Sequence, residues 1–245
     1  MADFVLRVGS RSAQGIRSNN EDRLHVDLKR QLFIVADGMG GQERGEIASG
    51  LAVDIIPKVL GERLAASEAA DHAVVQAFAS ANSAIIEAGK GQPEGRRMGT
   101  TAVAAFHCDG RVFVAGVGDS RAYLIRDAQV DQLTLDHSVA QALVACGAIS
   151  ADEARTSPYQ HVLHKFLGCV NMHDGAEVKP FAPHAGDRLV LGSDGLTNHI
   201  DTDDLRKGAR EFADPQQWAD HLVQTSLTRG SRDNVSCIVV YFDPA

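Results

Sequence analysis

The sequence predicts an α+β fold in which antiparallel sheets stack on one another and helices cover them on the outside. Three observations carry this reading. Apolar, strand-like runs between Thr101 and Leu133 are joined by links of three residues, too short for the crossover that a parallel pair needs. Segments of helical period come in pairs instead of alternating singly with strands, and regular alternation is what a parallel α/β sheet would require. Finally, 44% hydrophobic residues over 245 positions supply enough apolar surface for a core that needs no staples.

The elements follow in order. Phe4–Gly9 and Arg23–Asp27 read as strands, and Leu32–Ala36 is a continuous apolar run ending at Asp37-Gly38. Ile47, Leu51, Ile55 and Val59 repeat every fourth residue and predict a helix, with Pro57 expected to kink or stop it. Val74, Phe78, Ala81 and Ile85, at offsets 0, 4, 7 and 11, predict a second helix that ends in the loop Gly89–Gly95. Four strands follow: Thr101–His107, Arg111–Val117, Arg121–Ile125 and Gln129–Leu133. Ser138–Cys146 and Ser150–Arg155 read as short helices, each opened by a serine able to cap it. Thr156–Gly175 has no clear period and is expected to be a mobile surface excursion. Strands at Glu177–Phe181 and Arg188–Leu191, a helix at Pro215–Leu227 and a strand at Val235–Phe242 complete the chain. There is no repeat or linker, so residues 1–245 read as one domain.

Thirty-two Asp and Glu against 24 Lys and Arg leave a formal charge of −8, with no basic block. That balance argues against non-specific binding to nucleic acid or to an anionic membrane. Cys108, Cys146, Cys169 and Cys237 are scattered, without a C-x-x-C pair or a signal peptide, as expected of a protein in the cytoplasm. No run reaches the about 18 apolar residues of a membrane span.

The informative acids stand at strand ends. Asp37, Asp119 and Asp194 follow apolar runs, and Asp233 precedes one; antiparallel pairing can bring such ends to one edge. Glu21 and Asp22 lie just before Arg23–Asp27. Gathered carboxylates repel and are costly to desolvate unless a cation or a proton neutralises them. An all-oxygen set on short side chains suits Mg2+ or Mn2+ better than zinc. Gly38 lets the backbone come close, and its carbonyl is a further donor oxygen. Taken singly, each of these acids is more often a turn former than a ligand, so the longer strings decide.

Those strings are Arg17-Ser-Asn-Asn-Glu21-Asp22, Val35-Ala-Asp37-Gly38-Met39-Gly40-Gly41, Gly99-Thr100-Thr101, Gly116-Val-Gly118-Asp119-Ser120-Arg121, Leu191-Gly-Ser193-Asp194-Gly195 and Ser231-Arg-Asp233-Asn234-Val235. In order and approximate spacing they resemble the metal-dependent protein serine/threonine phosphatases (the type 2C or PPM group) in their compact bacterial form, from about Val8 to Val240. The resemblance implies a four-layer α/β/β/α sandwich with a flap-like segment at about 147–175. It implies two core ions, Mn2+ or Mg2+, bridged by Asp37. The Gly38 carbonyl would serve the second ion, and Asp194 and Asp233 the first. Asp119 with Asp194 matches a third, weaker site, and Glu21 and Asp22 match acids that reach the second ion or its waters. Arg17 matches the arginine that grips the substrate phosphate, its planar fork of donors suited to phosphate oxygens.

The activity implied is hydrolysis of phosphoserine and phosphothreonine in proteins by a hydroxide bridging the ions, with no covalent phosphoenzyme; between two ions, water's pKa falls from about 15.7 towards neutrality. The implied partners are phosphorylated proteins, among them a eukaryote-like serine/threonine kinase or its substrates, with the chain acting as a monomer. A narrower version dedicates the enzyme to one regulatory phosphoprotein. A regulatory module without catalysis would be expected to have lost metal aspartates, yet Asp37, Asp194 and Asp233 are all present. Two departures stand out. Met39 occupies the place of the histidine proposed as general acid in eukaryotic members, and Met cannot donate a proton, so the acid is unassigned. His164-Lys165-Phe166-Leu167-Gly168 replaces the Thr-Arg-Ala-Leu-Gly of many bacterial members, which implies a different substrate preference. His161, His164 and His173 are read as surface or packing residues, since His161-x-x-His164 is half of a zinc site with no Cys pair to complete it.

Overall fold

Side chains along a strand alternate between its two faces, and here both faces are covered. In β3 (Leu32–Met39), Leu32, Ile34 and Ala36 enter one core while Phe33 and Val35 enter another. In β11 (Val235–Pro244), Cys237, Val239 and Tyr241 face one way, and Ile238, Val240 and Phe242 the other. Such strands read as unbroken apolar runs because neither face meets water. The structure, a computed structural model, describes residues 4–40, 44–91, 98–170, 172 and 175–245. Gly41, the 92–95 end of the glycine-rich loop and His173 lie outside them.

Two sheets result, with every strand pairing antiparallel. One has the order β1 (Phe4–Ala13), β11, β10 (Arg188–Gly192), β7 (Arg121–Arg126), β8 (Gln129–Gln132). The other runs β2 (Asp22–Asp27), β3, β5 (Ala102–Cys108), β6 (Arg111–Val117), β9 (Glu177–Phe181), with β4 (Gly99–Thr100) set against the end of β3. Their inner faces close on a shared core containing Phe33, Val103, Leu124, Leu189 and Ile238. Helices α1 (Arg44–Ala65) and α2 (Ala70–Ala88) cover the outer face of the second sheet. The short α5 (Asp194–Thr197), α6 (Thr202–Glu211) and α7 (Pro215–Thr228) cover the first. This is the expected α/β/β/α sandwich. Phe78 and Ile85 of α2 are fully buried, each contributing about 1.5–3 kcal/mol by leaving water.

The structure refines three readings. The buried stripe of α1 is Ala48, Ala52, Ile56 and Leu60, while Ile47 is 51% exposed. The larger residues Leu51, Ile55 and Val59 flank the core, because small side chains at the centre let α1 lie close to α2 and β3. The helix also continues through Pro57 to Ala65. Burial of Ile56, Pro57 and Leu60 offsets the missing hydrogen bond, so no early stop occurs. Finally, the segment after α4 (Ala151–Arg155) is irregular but not wholly superficial: Leu163 bridges Ser138, Leu167 bridges Thr100, and Leu167 is fully buried. The serine caps hold, with Ser138 capping α3 (Val139–Ala145) and Ser150 forming a capping box with Glu153. All four cysteines are free, and no helix among the described residues is long and apolar enough to cross a membrane.

Candidate active site

The sheet register places the acids. β2 and β3 pair so that Asp22 lies opposite Asp37. Asp119 occupies the turn by which β6 of one sheet passes to β7 of the other, Asp194 opens α5 directly after β10, and Asp233 stands two residues before β11. All four strand-end aspartates border one cleft of about 660 Å3, together with Arg17, Glu21, Gly38 and Met39.

Local chemistry fixes the central residue. The backbone N–H of Asp37 donates to Thr101 Oγ1 at 3.2 Å, and its carbonyl accepts from Thr100 Oγ1 at 2.8 Å and from the Thr101 N–H at 2.9 Å. That accounts for the Gly-Thr-Thr string. A Cβ on Gly38 would lie 2.2 Å from the Gly45 carbonyl oxygen and 2.7 Å from that of Glu21. Only glycine lets these three backbone segments meet.

Electrostatics shows how crowded the acids are. Burial holds the Asp37 carboxyl well above the ordinary range, and the charges of Asp22, Asp194 and Asp119 raise it further. Burial, then the neighbouring Asp194 and Asp136, push Asp119 up to about 7. Asp194 is raised by burial and by Asp233. Asp22 is raised chiefly by burial against the hydrogen bonds of Ser236 and Ser193, with Asp194 and Asp233 adding to it. It sits behind the cleft wall: its Oδ2 accepts from Ser193 Oγ at 2.9 Å, while its buried Oδ1 finds no donor among the described residues. Carboxylates arranged this way keep protons unless a cation replaces them, and hard oxygen donors with an unanswered buried lone pair fit Mn2+ or Mg2+.

Arg17, 57% exposed, reaches Asp233 Oδ2 from the rim at 2.5 Å. Its loop is fastened by Asn234, whose Oδ1 accepts from the Glu21 N–H at 2.8 Å and whose Nδ2 donates to the carbonyls of Gln14 and Asn19. The Glu21 side chain borders the cleft, its Oε1 accepting from Asn19 Nδ2 at 3.3 Å. His161, read from sequence as a surface or packing residue, is exposed but stands in the cleft. One of its ring nitrogens and oxygens of Asp119 and Asp194 all lie within 4.8 Å of one another. The His161-x-x-His164 spacing was the one local signal, but the excursion that delivers His161 has no period that would place it beside the aspartates. His164 stays outside that group. The fastening role of Asn234, next to Asp233 in the Ser231–Val235 stretch, has no signal in the sequence beyond its neighbour.

Comparison with known proteins agrees with this geometry. Residues 10–235 match the family described as Protein phosphatase 2C, and the chain belongs to that family. It is 34% identical over 246 residues to the serine/threonine protein phosphatase PstP of Mycobacterium tuberculosis, covering 96% of this chain but only 45% of that protein, so it spans less than half of that relative's length. It is 32% identical to the serine/threonine phosphatase stp of Listeria innocua, covering 92% of this chain and 91% of that one. Among solved structures, the PPM Ser-Thr phosphatase MsPP of Mycobacterium smegmatis, in complex with cacodylate, superposes with a TM-score of 0.83 at 34% identity over 98% of this chain and 99% of that one. The catalytic domain of PstP in complex with two manganese ions superposes with a TM-score of 0.80 at 30% identity, covering 98% and 99%.

Proposed function

We propose that this chain is a metal-dependent phosphatase that hydrolyses phosphoserine and phosphothreonine esters of proteins. The observation that carries the reading is the convergence of Asp37, Asp119, Asp194 and Asp233 on one cleft, with burial and mutual repulsion raising the first three. Asp37, the Gly38 carbonyl, Asp194 and Asp233 would hold two Mn2+ or Mg2+ ions, with Glu21 at the second site and Asp22, behind the cleft wall, adding its charge from beneath. Asp119 and Asp194, joined by His161, offer a third. When bound, the ions acidify water and neutralise charge on the phosphoryl oxygens. Arg17 binds the phosphate at the rim, and its pairing with Asp233 keeps the guanidinium turned toward the cleft. Residues of about 147–175 act as a flap that borders the cleft through His161, Val162, Leu163 and Phe166. Met39 lines the cleft without a transferable proton, so protonation of the leaving oxygen falls to another group.

The physiological substrates on this reading are phosphorylated proteins, including a eukaryote-like serine/threonine kinase or its targets, met in the cytoplasm by a monomer; the four free cysteines suit that compartment. Hydrolysis of p-nitrophenyl phosphate and of a phosphothreonine peptide tests the reading. Turnover with Mn2+ that EDTA abolishes, and that is absent in Asp37→Asn and Asp233→Ala, is expected. Undiminished turnover in both variants would overturn it.

A further inference from the structure

A buried imidazole matches each ring nitrogen to a partner, and those partners fix which nitrogen carries hydrogen. His137, between β8 and α3, is 4% exposed. Its Nδ1 accepts from the Gly118 N–H at 3.0 Å. An accepting Nδ1 bears no hydrogen, so Nε2 bears it and donates to Glu177 Oε1 at 3.2 Å. The backbone N–H of His137 donates to the Gly118 carbonyl at 2.9 Å. The preceding residue, Asp136, accepts three charge-assisted hydrogen bonds from Arg121, two from Nε at 2.9 and 3.1 Å and one from Nη2 at 2.6 Å. Consecutive residues therefore hold the turn on both sides of Asp119, at Gly118 before it and at Arg121 after it. The His137 carbonyl also accepts from the His164 N–H at 3.0 Å, and the Val139 N–H donates to the Val162 carbonyl at 2.7 Å. The stretch that directly follows His161 is thus fastened beside the same residue.

We infer that His137 is a positioning residue for the cation site of Asp119, Asp194 and His161: its Nδ1, acting as a neutral acceptor, fixes the turn that aims Asp119, while its backbone sets the base of the flap at the same point. This deepens the reading given under Proposed function and rests on it. His137 touches neither substrate nor ion; it acts through Gly118.

Two isosteric substitutions separate the ring's two ends. Asn at 137 places an acceptor oxygen where Nδ1 stands, whereas Gln places its amide where Nε2 stands and leaves the Gly118 N–H unanswered. Glu177→Gln keeps an acceptor for Nε2–H. In the full chain, amide exchange at Gly118 is read by NMR in EDTA, and Mn2+ binding by calorimetry. H137N and E177Q should keep slow exchange and Mn2+ affinities within about threefold of wild type. H137Q should exchange Gly118 at least about tenfold faster and lose about tenfold in affinity for the weakest-bound Mn2+, the scale seen when a ligand's hydrogen-bond partner is removed. Its tighter Mn2+ binding should persist. H137N and H137Q behaving alike in both measurements, whether both intact or both impaired, would overturn the inference, as would loss in E177Q. Exchange in EDTA needs no cation, so a wild-type protein that fails to bind Mn2+ would sink the phosphatase reading while the Gly118 bond is still tested.

Discussion

Asp119→Asn should stabilise the metal-free protein, and do so more as pH rises. The Asp119 carboxyl is held by burial, Asp194 and Asp136 at about 7 instead of 3.8. In the unfolded chain it ionises near 3.8, so between these values the unfolded state has released a proton that the folded state still carries. Stability therefore falls with rising pH across that window and stays low above it. At about 1.4 kcal/mol per pH unit, the whole interval amounts to about 4 kcal/mol, of which about 2–3 lie between pH 5 and 7. Asn is neutral throughout and escapes this loss. Urea unfolding in EDTA, followed by fluorescence of Trp218, the single and fully buried tryptophan, should show the stability of the variant minus that of wild type growing by about 2–3 kcal/mol from pH 5 to pH 7.5. With millimolar Mn2+ at pH 7.5 the order should invert, because ligand binding to the folded state favours the protein that keeps the full ligand set. A difference that is flat with pH, or that shrinks, would refute the reasoning.

Other substitutions separate phosphate binding from stability. Arg17→Ala should raise KM for phosphopeptides about tenfold and leave kcat within a few-fold, since it removes phosphate binding alone; steady-state kinetics showing a fall in kcat only would assign Arg17 another role. Asp187 is 1% exposed and accepts from Arg126 Nε at 2.8 Å and Nη2 at 2.6 Å; Asp187→Asn should cost about 2–3 kcal/mol in urea unfolding without changing KM, because it strands a partly buried guanidinium. A Cβ on Gly208 of α6 would stand 2.0 Å from Trp218 Nε1, so Gly208→Ala should lose about 1–3 kcal/mol through overpacking, visible as a lowered Tm with unaltered Mn2+ dependence.

Much of this was legible in the sequence, for identifiable reasons. Strands buried on both faces announce themselves as apolar runs, and short links make β5 and β6, and β7 and β8, antiparallel neighbours; the equally short link from β6 to β7 instead crosses from one sheet to the other, which link length alone does not reveal. The α2 stripe was equally clear because Val74, Phe78 and Ile85 are large. In α1 the largest apolar residues misled, since close helix packing puts Ala48 and Ala52 at the centre. α6 was missed altogether: only Leu205 and Gly208 of it are buried, too narrow a stripe to stand out. The capping box of Asp201 and Asp204 was its one usable signal. The pairing of β1 with β11 along Phe4↔Pro244 joins the two ends of the chain, a register that no local pattern encodes. For the site, the strand-end rule gathered the four aspartates. Arrival of His161 beside Asp119 and Asp194 depends on the path of an aperiodic segment, and the burial of Asp22 behind Ser193 depends on how the two sheets meet.

Oxygens from distant parts of the chain are proposed to converge on divalent cations. Crystals grown with Mn2+ and measured at the manganese absorption edge test this most directly. Anomalous peaks are expected in the cleft touching Asp37, Asp194 and Asp233, and should disappear in Asp37→Asn crystals grown under the same conditions. Density without such peaks at saturating Mn2+, or peaks only elsewhere on the surface, would contradict it.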